Sequence, residues 1–139
     1  MDRRLPAYFG SMTAQILDAE VCNWERFENV RQVGGFFGLV PRVYGSGGSF
    51  MYGSISKHGN PRLRVILIEL AWRMVMHQRG YWAVRKWWSV LQTGSKPRRK
   101  KAVVAIARCL AVDLWRWKTG RIQNLEELGF TLLPERQAA

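Results

Sequence analysis

The chain has 139 residues, 47% of them hydrophobic, with 22 Lys and Arg against 10 Asp and Glu and a formal net charge of +12. That length fits one domain with a real core, and the hydrophobic fraction excludes a chain that is disordered throughout. Residues 38–121 carry 17 of the basic residues and two of the acidic ones, so the positive charge forms one block and points to a polyanionic partner.

Gly10–Val21 reads as a short helix capped by Ser11 or Thr13, with Met12, Ile16 and Leu17 on one side. A second short helix starts near Asn29, is weakened by Gly34 and Gly35, and Pro41 stops whatever follows. From Val43 to Asn60 the chain turns glycine-rich, and the flanks Val43–Tyr44 and Phe50–Tyr52 fit a small hairpin. Asn60 is an N-cap candidate with Pro61 at the first helical position, where a missing N–H costs nothing. The helix it opens buries Leu63, Ile66, Leu67, Leu70, Ala71 and Met74 and closes at Gly80. Residues 81–92 form a shorter helix, and a last long one opens at Pro97, buries Val103, Ile106, Ala107, Leu110 and Leu114, and ends at Gly120. Residues 122–139 read as a tail. The fold class is mostly α, a single domain over residues 1–121 with two long helices and either a Gly-rich loop or a small hairpin. Cys22 and Cys109 sit in apolar helical patterns with no secretory leader, so they read as reduced core residues in a cytoplasm. No apolar run approaches the roughly 18 residues of a membrane span.

Four consecutive cations, Arg98, Arg99, Lys100 and Lys101, open the last long helix. Cations are unfavourable at the positive end of a helix dipole, yet with the exposed N–H groups they make an anion site. The same run also fits a solvated face. Arg62, Arg64, Arg85 and Lys86 extend the block. The seven tryptophans read mainly as core, but the adjacent Trp87 and Trp88 cannot share one helix face, which leaves an opening for base stacking. Metal-dependent cleavage needs clustered carboxylates, and the basic block has only Glu69 and Asp113, with His58 and His77 far apart. No phosphate-binding GxxxxGK[ST] is present. Ser46 lies in Gly45-Ser46-Gly47-Gly48, where backbone N–H groups can turn toward a phosphate beside an exposed hydroxyl. Such a serine is also an ordinary turn residue.

The order of motifs adds to this. Gly38-Leu39-Val40-Pro41, then Ser46-Gly47, then Gly53-Ser54-Ile55-Ser56-Lys57-His58-Gly59-Asn60, then Leu63-Arg64 and an apolar helix resemble the signature of the IS one-ten and IS eleven-eleven insertion-sequence transposases. The helix from Arg98 to Trp117 resembles that family's Lys-x-x-Val-Ala-x-Ala-Arg helix, and residues 9–39 its helix-hairpin-helix-like lead-in, whose Gly-x-Gly stands here as Tyr8-Phe9-Gly10. The resemblance covers residues 9–121. It implies a recombinase with two halves: a resolvase-like N-terminal domain whose carboxylate quartet binds Mg²⁺, and a C-terminal transposase domain with a serine nucleophile. The matching serine is Ser46, which would attack a DNA phosphodiester and hold a phosphoserine intermediate, while a structured RNA selects donor and target DNA. Gly45, Gly47, Gly48, Gly53 and Gly59 would shape the loop, and Lys57 would join the basic residues on DNA. The chain resembles the C-terminal half only. The expectation is therefore no cofactor here, Mg²⁺ confined to the other half, and no activity alone. Its partners would be DNA, a guide RNA, the acid-quartet domain or a full-length transposase, in a homo-oligomeric assembly. The alternatives are a non-catalytic nucleic-acid-binding remnant that inhibits a full-length transposase, and an unrelated basic RNA-binding protein.

Overall fold

The computed structural model describes residues 3–39, 41–46, 49–55 and 60–134, with 41–46 and 49–55 described as backbone only. Among the described residues six α-helices and one two-stranded antiparallel sheet follow in the order α1 (Ser11–Val21), α2 (Val30–Phe37), β1 (Pro41–Ser46), β2 (Ser49–Ile55), α3 (Pro61–His77), α4 (Trp82–Lys86), α5 (Trp88–Thr93) and α6 (Lys96–Lys118). The domain is mostly helical, as its apolar periodicities predict, and α3 and α6 pack together at its centre.

The two long helices follow from their sequences. Asn60 caps α3 by accepting from the N–H groups of Arg62 and Leu63 at 3.0 and 3.2 Å, with Pro61 in the first turn. Leu63, Leu67, Leu70, Ala71 and Met74 are buried; Ile66 is only partly so. Gln78, not Gly80, ends α3. Along α6, Val103, Ile106, Ala107, Leu110 and Leu114 are buried as expected. Each large side chain of these two stripes contributes roughly 1.5–3 kcal/mol on removal from water.

The short elements depart more. Gly10, with φ +90, precedes α1, and no side chain caps it. Leu17 and Val21 face the core, whereas Met12 is 72% exposed and Ile16 sits at the surface. Cys22 is exposed rather than buried, because its left-handed φ of +66 turns the chain outward between buried Val21 and Trp24. Cys109 is half-buried, and both thiols are free. Gly38, at φ +69, closes α2 three residues before Pro41. The single helix expected over residues 81–92 breaks at Trp87 into α4 and α5, two pieces too short to stand alone and held by the buried Ala83, Val84 and Leu91.

The stretch from Ile122, expected as a tail, packs onto the core. Leu125 and Phe130 are buried, and the Phe130 ring stacks on Tyr81 at 4.1 Å. Gln78, buried at the end of α3, donates through Nε2 to the carbonyls of Ala7 and Thr131 and accepts the Thr131 N–H at Oε1, all at 2.9 Å. Ala7 and Leu5 pair with Thr131 and Leu133 through backbone bonds of 2.9 Å. One glutamine thus ties both ends of the described chain to α3. Gly80 and Gly129 touch backbone to backbone; a Cβ on Gly129, which has φ +95, would meet the Gly80 carbonyl oxygen. Among the described residues no helix is long and apolar enough to cross a membrane.

Candidate functional site

The glycine-rich segment is an antiparallel ribbon over its described residues. Val43 pairs with Tyr52, Tyr44 with Met51, Gly45 with Phe50, and Ser46 with Ser49, while the register shifts between Pro41 and Val43. The β-branched and aromatic flanks pair as their composition predicts. Ser46 is therefore the last paired residue of β1, and Gly53 lies within β2. Gly47, Gly48, Lys57 and Gly59 lie outside the described residues.

The described residues that flank the ribbon, Leu39 and Asn60, are held on α2 and α3. Where the chain enters, the N–H of Leu39 donates to the carbonyl of Gly34 at 3.0 Å. Where it leaves, the N–H of Asn60 donates to the carbonyl of Phe36 at 3.0 Å. The Asn60 side chain then caps α3, so the start of α3 is tied to the last turn of α2.

The expected basic residues fall in three groups. Arg62 is exposed at the first turn of α3, yet its guanidinium donates to Glu20 at 2.6 Å; Arg64 beside it is half-buried. Arg85 and Lys86 are exposed on α4, with the Lys86 ammonium 4.7 Å from the Trp87 ring centroid. Arg79 lies over Trp88 in the same way, at 5.0 Å. Both tryptophans are half-buried, each with one cation on its ring. Trp24, Trp115 and Trp117 are core, and Trp72 is 42% exposed. Arg98, Arg99, Lys100 and Lys101 are all exposed in the first turns of α6, which has no acid in its first turn and no side-chain bond from the Ser95 cap position. Among the described residues none of these four is ion-paired.

Sequence reasoning missed two acids. Glu20 joins the ribbon's exit to α1 through Asn60 and Arg62. Asp113 is 1% exposed and accepts from Tyr81 Oη at 2.5 Å and Trp82 Nε1 at 2.8 Å, both at Oδ2, with Arg116 3.7 Å from Oδ1. Burial raises its carboxyl above the ordinary value of 3.8, against the opposing pull of the Tyr81 and Trp82 bonds and of Arg116. Burial, then the charge of Asp113, pushes the Tyr81 hydroxyl well up, and burial raises the Cys109 thiol. Asp113 lies on the stripe of Ile106, Leu110 and Trp117, so its position alone signalled a buried acid in need of donors. It floors an open cavity of about 460 Å³ that Arg85 shares with Glu126 and Glu127. That neighbourhood is of mixed sign and sets Arg85 apart from the α6 run. Among the described residues no three His, Cys, Asp or Glu side chains gather as metal ligands. With both Oδ2 donors supplied by protein, Asp113 does not fit a metal either.

Comparison with known proteins completes the description. The model of the Transposase IS116/IS110/IS902 family matches residues 8–87. The chain is 39% identical over 93 residues to the Sinorhizobium fredii protein y4rJ, which bears a transposase name, over 66% of this chain and 23% of that protein. It is 32% identical over 106 residues to the transposase for insertion sequence element IS1111A of Coxiella burnetii, over 76% of this chain and 29% of the relative. The transposase for insertion sequence element IS1328 of Yersinia enterocolitica is 33% identical over 100 residues, covering 70% of this chain and 28% of its own length. The chain thus spans about a quarter of the length of these curated relatives. No solved structure matches. The matched residues run from Tyr8 through the anchored ribbon and α3 to Trp87, and by that match the chain belongs to the IS116/IS110/IS902 family of transposases.

Proposed function

We propose that this domain binds DNA and carries, in Ser46, the nucleophile for strand cleavage and transfer during transposition. In this reading Ser46 Oγ attacks the scissile phosphorus. An Oγ–P bond forms, the bond from phosphorus to one deoxyribose oxygen breaks, the serine proton leaves to a base or to solvent, and the departing oxygen takes up a proton. A second hydroxyl later attacks the phosphoserine and frees the serine. The observation that supports this most directly is the register of the ribbon: Ser46 is its last paired residue, next in sequence to Gly47 and Gly48, so the hydroxyl-bearing residue ends a paired strand rather than an unpaired linker. Glycine there permits close approach of a phosphate. The exposed cations that open α6 supply sequence-independent attraction to the backbone of DNA. The assembly would include a structured guide RNA, further copies of the transposase and the carboxylate-bearing half, with the metal chemistry lying outside the residues described here.

The test is covalent capture. With the carboxylate-bearing half supplied and a nicked element-end duplex as substrate, the chain is expected to form a protein–DNA adduct. Ser46→Ala abolishes it while DNA affinity stays within a few-fold, since one neutral hydroxyl contributes about 0.5–1.5 kcal/mol. Ser49→Ala and Ser54→Ala keep the adduct. An adduct that survives Ser46→Ala, or maps to another residue, refutes the assignment. A second reading, a nucleic-acid binder without chemistry, rests on the exposed α6 run alone; salt-dependent binding with no adduct in any assembly would favour it.

A further inference from the structure

Between Glu69 and Asp113 the sequence holds ten Lys and Arg and no acid. Within that span α4 gives way to α5 at Trp87, where φ −102 and ψ 12 interrupt the helix. The interruption places two indoles in succession, Trp87 and Trp88, both half-buried and packed against the core. A cation stands over each ring: the Lys86 ammonium lies 4.7 Å from the Trp87 centroid, and the Arg79 guanidinium 5.0 Å from that of Trp88. Both cations are exposed, and among the described residues neither is ion-paired. Trp24 and Trp82 donate their indole N–H to Asp18 and Asp113. Among the described residues the N–H groups of Trp87 and Trp88 have no acceptor.

The chemistry of this surface selects its ligand. Cations without a carboxylate attract a polyanion whatever its sequence. An exposed cation–π pair is weak, so Lys86 and Arg79 can turn from ring to phosphate at little cost. In a duplex the base faces are stacked on one another, and only base edges and phosphates are within reach. A duplex would therefore use the two cations and leave the indoles idle. An unpaired nucleotide uses both: its phosphate meets a cation, and its base stacks on an indole or on the guanidinium plane of Arg79.

We infer that the α4–α5 junction is a stacking site for unpaired DNA nucleotides, with Trp87 and Trp88 as platforms and Lys86 and Arg79 as phosphate contacts. It is distinct from the run that opens α6. The inference rests on the reading of this domain as a DNA binder and names the form of DNA that this surface takes: a single strand beside a duplex, which strand cleavage and transfer expose.

The experiment is fluorescence anisotropy on the full chain with three labelled ligands: a blunt DNA duplex, the same duplex with a short dT overhang, and the same duplex with an rU overhang. At one salt concentration the dT overhang is expected to tighten binding about tenfold, within the range of base–aromatic stacking. Trp87→Leu combined with Trp88→Leu keeps apolar bulk and removes both π faces. It should erase that gain and leave affinity for the blunt duplex within about twofold, with folding checked by circular dichroism melting. Arg79→Gln and Lys86→Gln should weaken the overhang ligand more than the blunt duplex. Independently of any variant, iodouracil placed in the overhang should crosslink on irradiation to Trp87 or Trp88 of the wild-type chain, as mapped by mass spectrometry; if the double variant does not fold, this crosslink decides. An overhang that adds less than about twofold, a gain that survives in the folded double variant, or crosslinks that fall only elsewhere overturns the proposal. Tighter binding of the rU overhang than of dT overturns its assignment to DNA. Blunt-duplex binding with no overhang gain sinks this inference alone, whereas no binding to any of the ligands sinks the DNA-binding reading with it.

Discussion

Replacing Arg98, Arg99, Lys100 and Lys101 together with Ala separates a DNA contact from a solvated helix end. Successive helical residues are turned by about 100°. The buried residues Ala102, Val103, Ile106, Ala107 and Leu110 mark the inward direction of α6. Counted back from them, Lys101 points most directly away from the core, Arg98 and Lys100 flank it, and Arg99 points along the core side ahead of the first buried residue. A duplex lying on the outer surface of α6 therefore meets about three of the four. Each phosphate contact contributes about 0.9 to the slope of log K against log salt, so the fourfold variant should flatten that slope by roughly 2.7. Arg99→Ala alone should change it least. The same substitutions relieve the two cations of the first turn, Arg98 and Arg99, each unfavourable there by about 0.3–1 kcal/mol, and add the best helix former at all four positions. Melting temperature should therefore rise while DNA binding weakens. The assay is fluorescence anisotropy on labelled duplex across a salt series, with melting of both proteins followed by circular dichroism. An unchanged slope would show that the run is only solvated, and a fall in melting temperature would show that these side chains hold structure.

Three further outcomes follow from the packing. Asp113 holds its proton more tightly in the folded chain than in the unfolded one, so it makes stability fall as pH rises from 3.8 through its raised folded value; Asp113→Asn, which keeps an acceptor for Tyr81 and Trp82, should remove that fall, and parallel pH–melting profiles of the two proteins would contradict it. Gln78→Leu strips three hydrogen bonds from the junction of Ala7, Thr131 and α3, at about 0.5–1.5 kcal/mol each; denaturant titration should show a loss of about 2–4 kcal/mol, and a loss below about 0.5 would mean the bonds are replaced by water at no cost. Gly129→Ala places a Cβ against the Gly80 carbonyl at a φ of +95 and should cost about 2–5 kcal/mol by the same titration, whereas a neutral result would mean that the tail moves away freely.

Local rules carried α3 and α6, because Asn60–Pro61 and the three- and four-residue apolar spacing are signals complete within one segment. The paired flanks of the ribbon were legible for the same reason. The phase of α1 was not: Met12 and Ile16 are apolar but face out, and only tertiary packing selects Leu17 and Val21 for the core. The stretch after Ile122 reads as a tail because what it docks on, Gln78 and Tyr81, lies about 50 residues upstream. The candidate site divided along the same line. Ser46 is a candidate through the order of motifs alone, while the exposure of the α6 cations follows from their place ahead of the apolar stripe. The Glu20 contacts span 40 and 42 residues, a pairing that no spacing rule supplies. Asp113 reads in the sequence only as an isolated acid of the basic block, and its donors, Tyr81 and Trp82 at the start of α4, are named only by the fold.

The clasp at Gln78 also has a mechanical meaning. Leu5 pairs with Leu133, and Ala7 with Thr131, so the chain enters and leaves through one antiparallel pair with Leu5 and Leu133 on the outer side. Tension applied across the two ends loads these bonds one after another, as a zipper does, rather than all at once in shear. The first is a single backbone bond; behind it stand the Ala7–Thr131 bond and the three contacts of Gln78. Peeling the ends apart therefore requires little force per step and stops at the glutamine, with the helical core and the base of the ribbon still unloaded.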